Sequence, residues 1–155
     1  MLGHMTVGEL CIREVVFVRP HETIVDAAKL MRAYHVGDVV VVREEAGKRR
    51  PVGMLTDRDL VVEVLAQAAD KAPVLLVEDV ATMEDVATLQ EEDTAEKALS
   101  TMLRHGVRRI PVVDADGCLV GIVAQDDLLE LLTGQMSRLA KIPEFQAERE
   151  QQRRP

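Results

Sequence analysis

The side chains best suited to chemistry stand in two matched places. In the first, Gly53-Met54-Leu55-Thr56-Asp57-Arg58-Asp59 runs from an apolar strand end into a helix start. The Thr56 hydroxyl can cap that helix and Asp59 can close a capping box. Amide donors and the positive end of the helix dipole meet there, which favours an anion, and a carboxylate so placed can accept two hydrogen bonds from a vicinal diol. Cap and ligand roles are compatible. The bare Thr-x-x-Asp spacing decides little, since it recurs at Thr23/Asp26 and Thr82/Asp85, where only caps are expected. In the second place, Gly121-Ile122-Val123-Ala124-Gln125-Asp126-Asp127 keeps Asp127 but carries Ala124 in place of the threonine, losing a hydroxyl contact and a cap together. Just before the apolar run Ile110-Pro111-Val112-Val113 stand His105, Arg108 and Arg109. Guanidinium forks suit phosphate oxygens; surface salt bridging is the other reading of this pair.

Signatures of catalysis are scarce. Gly47-Lys48 is followed by Arg49 inside a turn, so no phosphate-binding P-loop forms. With serines only at 100 and 137 there is no Gly-x-Ser-x-Gly. The four histidines show no His-x-x-x-His spacing, and Cys11 and Cys118 form no Cys-x-x-Cys pair. No catalytic residue, catalytic cofactor or metal site is assigned, and the cysteines read as two packed thiols of a reducing compartment.

An internal repeat must position these residues. Ile24, Ala27, Ala28 and Met31 have the i, i+3, i+4, i+7 spacing of a helix with one apolar face. The pattern returns 71 residues later at Ala95, Ala98, Leu99 and Met102. Val39-Val40-Val41-Val42 matches Ile110-Pro111-Val112-Val113 at the same offset, and β-branched runs of this kind predict strands buried on both faces. A hairpin follows in each copy, a long turn over Glu44–Pro51 and a shorter one at Asp114–Gly117. The offset then drops to 68, so the first hairpin is three residues longer. Second helices are expected from Asp57 to about Ala69 and from Asp126 to about Leu132, with short lead-in helices at Val7–Cys11 and Val77–Ala81. Each copy therefore reads strand, helix, strand, strand, helix. One copy of about 60 residues buries too little surface to stand alone, so the two are expected to pack about a pseudo-two-fold axis as one α+β unit. The expected division is 5–70, 71–134 and a polar tail over 135–155.

The chain has 155 residues, 19 Lys+Arg against 27 Asp+Glu, a net charge of −8 and only 2 % aromatic residues. That balance disfavours nucleic-acid binding, which relies on cationic surfaces and aromatic platforms. The longest uncharged run, Gly117 to Gln125, is far below the roughly 20 apolar residues of a membrane span, and Met1-Leu2-Gly3-His4-Met5 lacks the regions of a signal peptide. The expected location is the cytoplasm.

Gly-Met-Leu-Thr-Asp-Arg-Asp at 53–59 and His-Gly-Val-Arg-Arg-Ile-Pro-Val-Val-Asp at 105–114, within the double pattern, resemble the cystathionine-β-synthase (CBS) domain pair, or Bateman module, over residues 5–134. The resemblance implies a non-enzymatic regulatory module that binds AMP, ADP, ATP or S-adenosylmethionine between its repeats, as a homodimer. It implies that Thr56, Asp59 and Asp127 contact ribose or phosphate and that Arg108 and Arg109 contact phosphate; whether Arg58 joins them or only solvates its helix stays open. Val15, Val16, Val39 and Ile110 would wall the adenine. Thr56 and Asp59 would share a cleft with Arg108 and Arg109, Asp127 would face Asp38, and the second site would be weaker or empty for want of the threonine. A ligand-free interaction homodimer is the alternative.

Overall fold

In the computed structural model, which describes residues 5–153, each repeat builds a three-stranded sheet. Met1 to His4 and the terminal Arg154-Pro155 lie outside the described residues. The first sheet has the order β1 (Phe17–Val18), β2 (Asp38–Glu45), β3 (Lys48–Thr56), and the second β4 (Leu89–Gln90), β5 (Arg109–Val113), β6 (Leu119–Ala124). Outer strands β1 and β4 run parallel to β2 and β5, whereas each hairpin is antiparallel. The expected order of elements holds: α2 (Ile24–Tyr34) and α6 (Ala95–His105) cross over between the first two strands of each sheet. Both helices start at a threonine whose hydroxyl accepts an amide hydrogen bond at 3.1 Å, Thr23 from Asp26 and Thr94 from Lys97.

The Val39–Val42 stretch of β2 is buried on both faces, and its alternation decides what each face meets. Val39 and Val41 join Val18, Ala27, Met31, Leu55 and Val77 in the first core. Val40 and Val42 turn the other way and pack on Ile122 of β6, joining the two sheets. Ile110 and Val112 of β5 enter the second core with Leu89, Ala98, Met102, Val123 and Leu128. Each valine, leucine, isoleucine or methionine among these contributes about 1.5–3 kcal/mol when withdrawn from water. Of the four apolar positions read on each helix, Ala28 and Leu99 face solvent. The sheet presents room for one narrow row, and these two sit on its flank.

The lead-in helices cross over between the halves. Helix α1 (Val7–Leu10) contributes Val7 to the second core, while α5 (Val77–Val80) contributes Val77 to the first. Backbone bonds repeat the exchange: Val7 N–H donates to Asp93 C=O at 2.7 Å, and Val77 N–H to Glu22 C=O at 2.8 Å. Beyond each helix the chain bridges the opposite end of the same unit, Ile12 to Ile122 and Thr82 to Met54. Glycines make these crossings possible. A Cβ on Gly53 would lie 2.8 Å from Thr82 C=O, and one on Gly121 would lie 2.6 Å from Cys11 Sγ.

Several expectations need correction. Thr82/Asp85 caps no helix; Thr82 lies in the bridge to Met54 and Asp85 sits in a loop at φ 51°. The long first turn is mostly strand. Glu45 pairs with Lys48, leaving Ala46 and Gly47, both at positive φ, as a two-residue turn whose twist suits a hairpin. Helix α3 (Asp57–Asp59) leads into a π-helical stretch, Leu60–Leu65, then α4 (Ala66–Ala68). Helix α7 (Gln125–Ala140) runs well past Leu132, because Gly134 costs an exposed helix only about 1 kcal/mol and good helix formers follow it. The tail continues as α8 (Ile142–Arg153), exposed along its whole length.

Candidate functional site

Where the carboxyl ends of β3 and β6 approach the amino ends of β2 and β5, a cleft of about 750 Å3 opens on the pseudo-two-fold axis. Its lining comes in equivalent pairs: Gly37-Asp38 with Arg108-Arg109, and Thr56-Asp57-Arg58 with Ala124-Gln125-Asp126. Strand register explains this, since Asp38 pairs with Thr56 and Arg109 with Ala124 at the ends of the two hairpins. Matching bonds close the corners: Asp57 N–H donates to Gly37 C=O and Gln125 N–H to Arg108 C=O, both at 2.8 Å.

Two residues at the same position of the repeat, one acidic and one basic, meet across the axis. Arg109 Nε lies 2.9 Å from Asp38 Oδ2, with the Asp38 side chain 17 % exposed. The other oxygen, Asp38 Oδ1, is buried without a hydrogen-bond partner. Burial pushes the Asp38 carboxyl above its ordinary pKa; the Arg109 charge opposes that rise and the Asp57 carboxylate adds to it. Among the described residues neither Arg58 nor Arg108 forms an ion pair, so both keep their donors for a ligand.

The cleft thus brings together Thr56, Arg58, Arg108 and Arg109. Asp59 and Asp127 stand one turn behind its wall. Asp59 Oδ2 accepts from Thr56 N–H at 2.9 Å, and Thr56 Oγ1 accepts from Asp59 N–H at 3.1 Å, a complete capping box. Asp127 Oδ2 accepts from Ala124 N–H at 2.7 Å, the half of the box that needs no hydroxyl. Asp38 faces Arg109, while the charge of Asp127 is felt at Cys11. Val39 and Ile110 are fully buried in the two cores; Val15 packs between the sheets and Val16 against the first core. His105 ends α6, outside the cleft lining. The residues that the motif reading passed over are Asp57, Asp126 and Asp38 as a partner of Arg109. The repeat alignment held the signal, because equivalent positions near a two-fold axis meet one another. A second cleft, of about 710 Å3, lies beside the first hairpin around Arg19, His21 and Arg43 and contains none of the motif residues.

The fold and the paired strand ends define a two-repeat module with a cleft on its axis. The CBS domain pattern matches residues 7–66 and 77–134, and the chain belongs to the CBS domain family. It is 38 % identical over 128 residues to an uncharacterized protein of Methanopyrus kandleri, a match that covers 82 % of this chain and 62 % of that protein, so it spans less than two thirds of that relative. It is 36 % identical over 124 residues to the CBS domain-containing protein YhcV of Bacillus subtilis, covering 79 % of this chain and 82 % of YhcV. The CBS domain pair of protein MJ0100, solved in complex with 5′-methylthioadenosine and S-adenosyl-L-methionine, superposes with a TM-score of 0.72, covering 84 % of this chain and 98 % of that one; at 24 % identity it shares the fold. Among the described residues no helix is long and apolar enough to cross a membrane, and no group of His, Cys, Asp or Glu is arranged to hold a metal ion.

Proposed function

We propose that this chain is a regulatory, non-catalytic module of the cytoplasm that binds an adenosine-containing ligand, AMP, ADP, ATP or S-adenosylmethionine, in the axial cleft and signals by altered packing of its halves or of a homodimer. The observation that carries this reading is the meeting, in one cleft, of a helix-capping threonine with Arg58 and Arg108, whose guanidinium groups have no ion-pair partner among the described residues. The ligands of the fold neighbour supply the chemical class. Asp59 contributes from behind Thr56, and Asp127 does so on the half that lacks the hydroxyl. Val15, Val16, Val39 and Ile110, expected as walls for the adenine, are absent from the cleft lining and serve as core packing instead.

A thermal-shift panel of the four ligands tests the reading. Binding to the folded state at a hundredfold excess over Kd stabilises by about 2.7 kcal/mol, a shift of several degrees for a chain of this size. Millimolar concentrations of all four that leave the melting temperature unmoved sink it. Asp59→Ala is expected to reduce the ligand-induced shift more than Asp127→Ala, each measured against its own ligand-free melt. The second reading, an interaction homodimer without a ligand, draws on large apolar side chains left in water on the outer helices, such as Leu103, 75 % exposed, and Met136, 70 % exposed. A dimeric mass together with a silent ligand panel would favour it.

A further inference from the structure

The charges around the cleft cancel: Arg58, Arg108 and Arg109 stand against Asp38, Asp57 and Asp126. A site selected for a polyphosphate would hold an excess of cations. Here one of the three arginines, Arg109, is already engaged, with Asp38 Oδ2 at 2.9 Å. A phosphate that drew Arg109 away would leave a largely buried carboxylate without its counter-charge, which is costly in a low-dielectric setting. Meanwhile Asp38 Oδ1, buried and without a partner, is an acceptor that lacks a donor. The adjoining Asp57 carboxylate packs against Gly37, where a Cβ would lie 3.1 Å from Asp57 Oδ2, so a second negative charge is fixed beside the first. The equivalent position in the other repeat carries Arg109, so this acidic end belongs to one half only.

We propose that Asp38, which lines the cleft, is its specificity-determining residue, selecting by its charge a ligand that brings a positive group toward the carboxylate and rejecting a polyphosphate. The inference rests on the reading of the cleft as an adenosyl-ligand site. Within that class it ranks S-adenosylmethionine, a zwitterion with an ammonium and a sulfonium, above AMP and AMP above ATP. Like-charge repulsion with Asp38 and Asp57 sets the order, and the free donors of Arg58 and Arg108 handle a single anionic group.

Calorimetric titration of S-adenosylmethionine, AMP and ATP into the full chain, its Asp38→Asn variant and its Asp38→Glu variant tests this. Wild type is expected to follow the stated order. Asp38→Asn is expected to shift the ratio of the ATP and S-adenosylmethionine dissociation constants toward ATP by on the order of tenfold or more, the effect of removing one like charge at close range. Asp38→Glu keeps the charge and is expected to keep the wild-type order. The ratio is taken within one protein, so inactive chains in a destabilised variant cancel from it. Binding with the same ratio in wild type and Asp38→Asn overturns the inference while the adenosyl reading stands, as does a wild type that prefers ATP. Absence of binding by all three ligands to all three proteins overturns both.

Discussion

The two repeats differ by one hydroxyl at a position where their backbones are nearly superimposable, which allows a gain of stability to be forecast. Thr56 stands at φ −113°, ψ 159°, and Ala124 at φ −111°, ψ 159°. Each precedes a helix whose third residue is an aspartate that accepts from its backbone N–H, at 2.9 Å in the first repeat and 2.7 Å in the second. Only the first has the reciprocal bond, from Asp59 N–H to Thr56 Oγ1. Ala124→Thr places a hydroxyl where the Asp127 N–H has no side-chain acceptor. The added atoms have the cleft to enter, since Ala124 lines it. A cap of this kind is worth about 1 kcal/mol, which for a chain of this length raises the melting temperature by roughly 2–4 °C. Thr56→Ala is expected to lower it by a similar amount, and the double variant to return close to wild type, because the two sites act on different helices. Scanning calorimetry of the four proteins in one buffer makes the comparison. A melting temperature for Ala124→Thr at or below wild type, while Thr56→Ala falls as forecast, would refute the claim that the second helix start is preformed for a cap.

Three further outcomes follow from the packing and charges. Gly53→Ala should destabilise by about 1–3 kcal/mol in chemical denaturation, as overpacking does, because the new Cβ meets the Thr82 backbone carbonyl at 2.8 Å; Gly121→Ala should cost less, because the nearest backbone carbonyl there, that of Ile12, lies at 3.1 Å. The Asp38 carboxyl is raised by burial, so the folded state holds that proton where the unfolded state releases it. Stability from this group is therefore present at low pH and lost as pH rises from the ordinary carboxylate value through the raised one; wild type should lose stability relative to Asp38→Asn across that window, and an opposite slope would show a lowered carboxyl. Burial also raises the Cys11 thiol, with Arg13 opposing, so iodoacetamide should label Cys11 at neutral pH more slowly than it labels a small free thiol, as peptide mass spectrometry can follow.

Much of the fold was legible because its signals are local. Helix starts at Thr23 and Thr94, the strands around Val39–Val42 and Ile110–Val113, and the order of elements all follow from caps, β-branched runs and a fixed offset. The exchange of α1 and α5 was not legible, since Val7 and Val77 carry the same apolar face whichever core receives them. The length of α7 was not legible, since apolar residues thin out after Leu132 while the helix continues to Ala140 on mostly exposed residues. At the candidate site, the motif located the strand ends but not the side of the helix that faces the cleft. Thr56, Asp57 and Arg58 face it, whereas the Asp59 carboxylate turns back to bind Thr56 N–H. The Asp38–Arg109 pair required knowing that equivalent positions touch, a fact about the axis and not about either repeat alone.

The exchange of lead-in helices also sets a timetable. As the chain leaves the ribosome, residues 13–68 have their own sheet and helix but still lack Val77, so the first core stays open until α5 emerges and the bonds from Val77 to Glu22 and from Thr82 to Met54 can form. Helix α1 waits longest: synthesised before either sheet, it finds its place only when Asp93 and Ile122 have followed it. Neither half can finish without a segment that its neighbour in sequence delivers. The module should therefore mature in one late cooperative step, during which Val7 and Leu10 stay exposed to chaperones and to other unfinished chains.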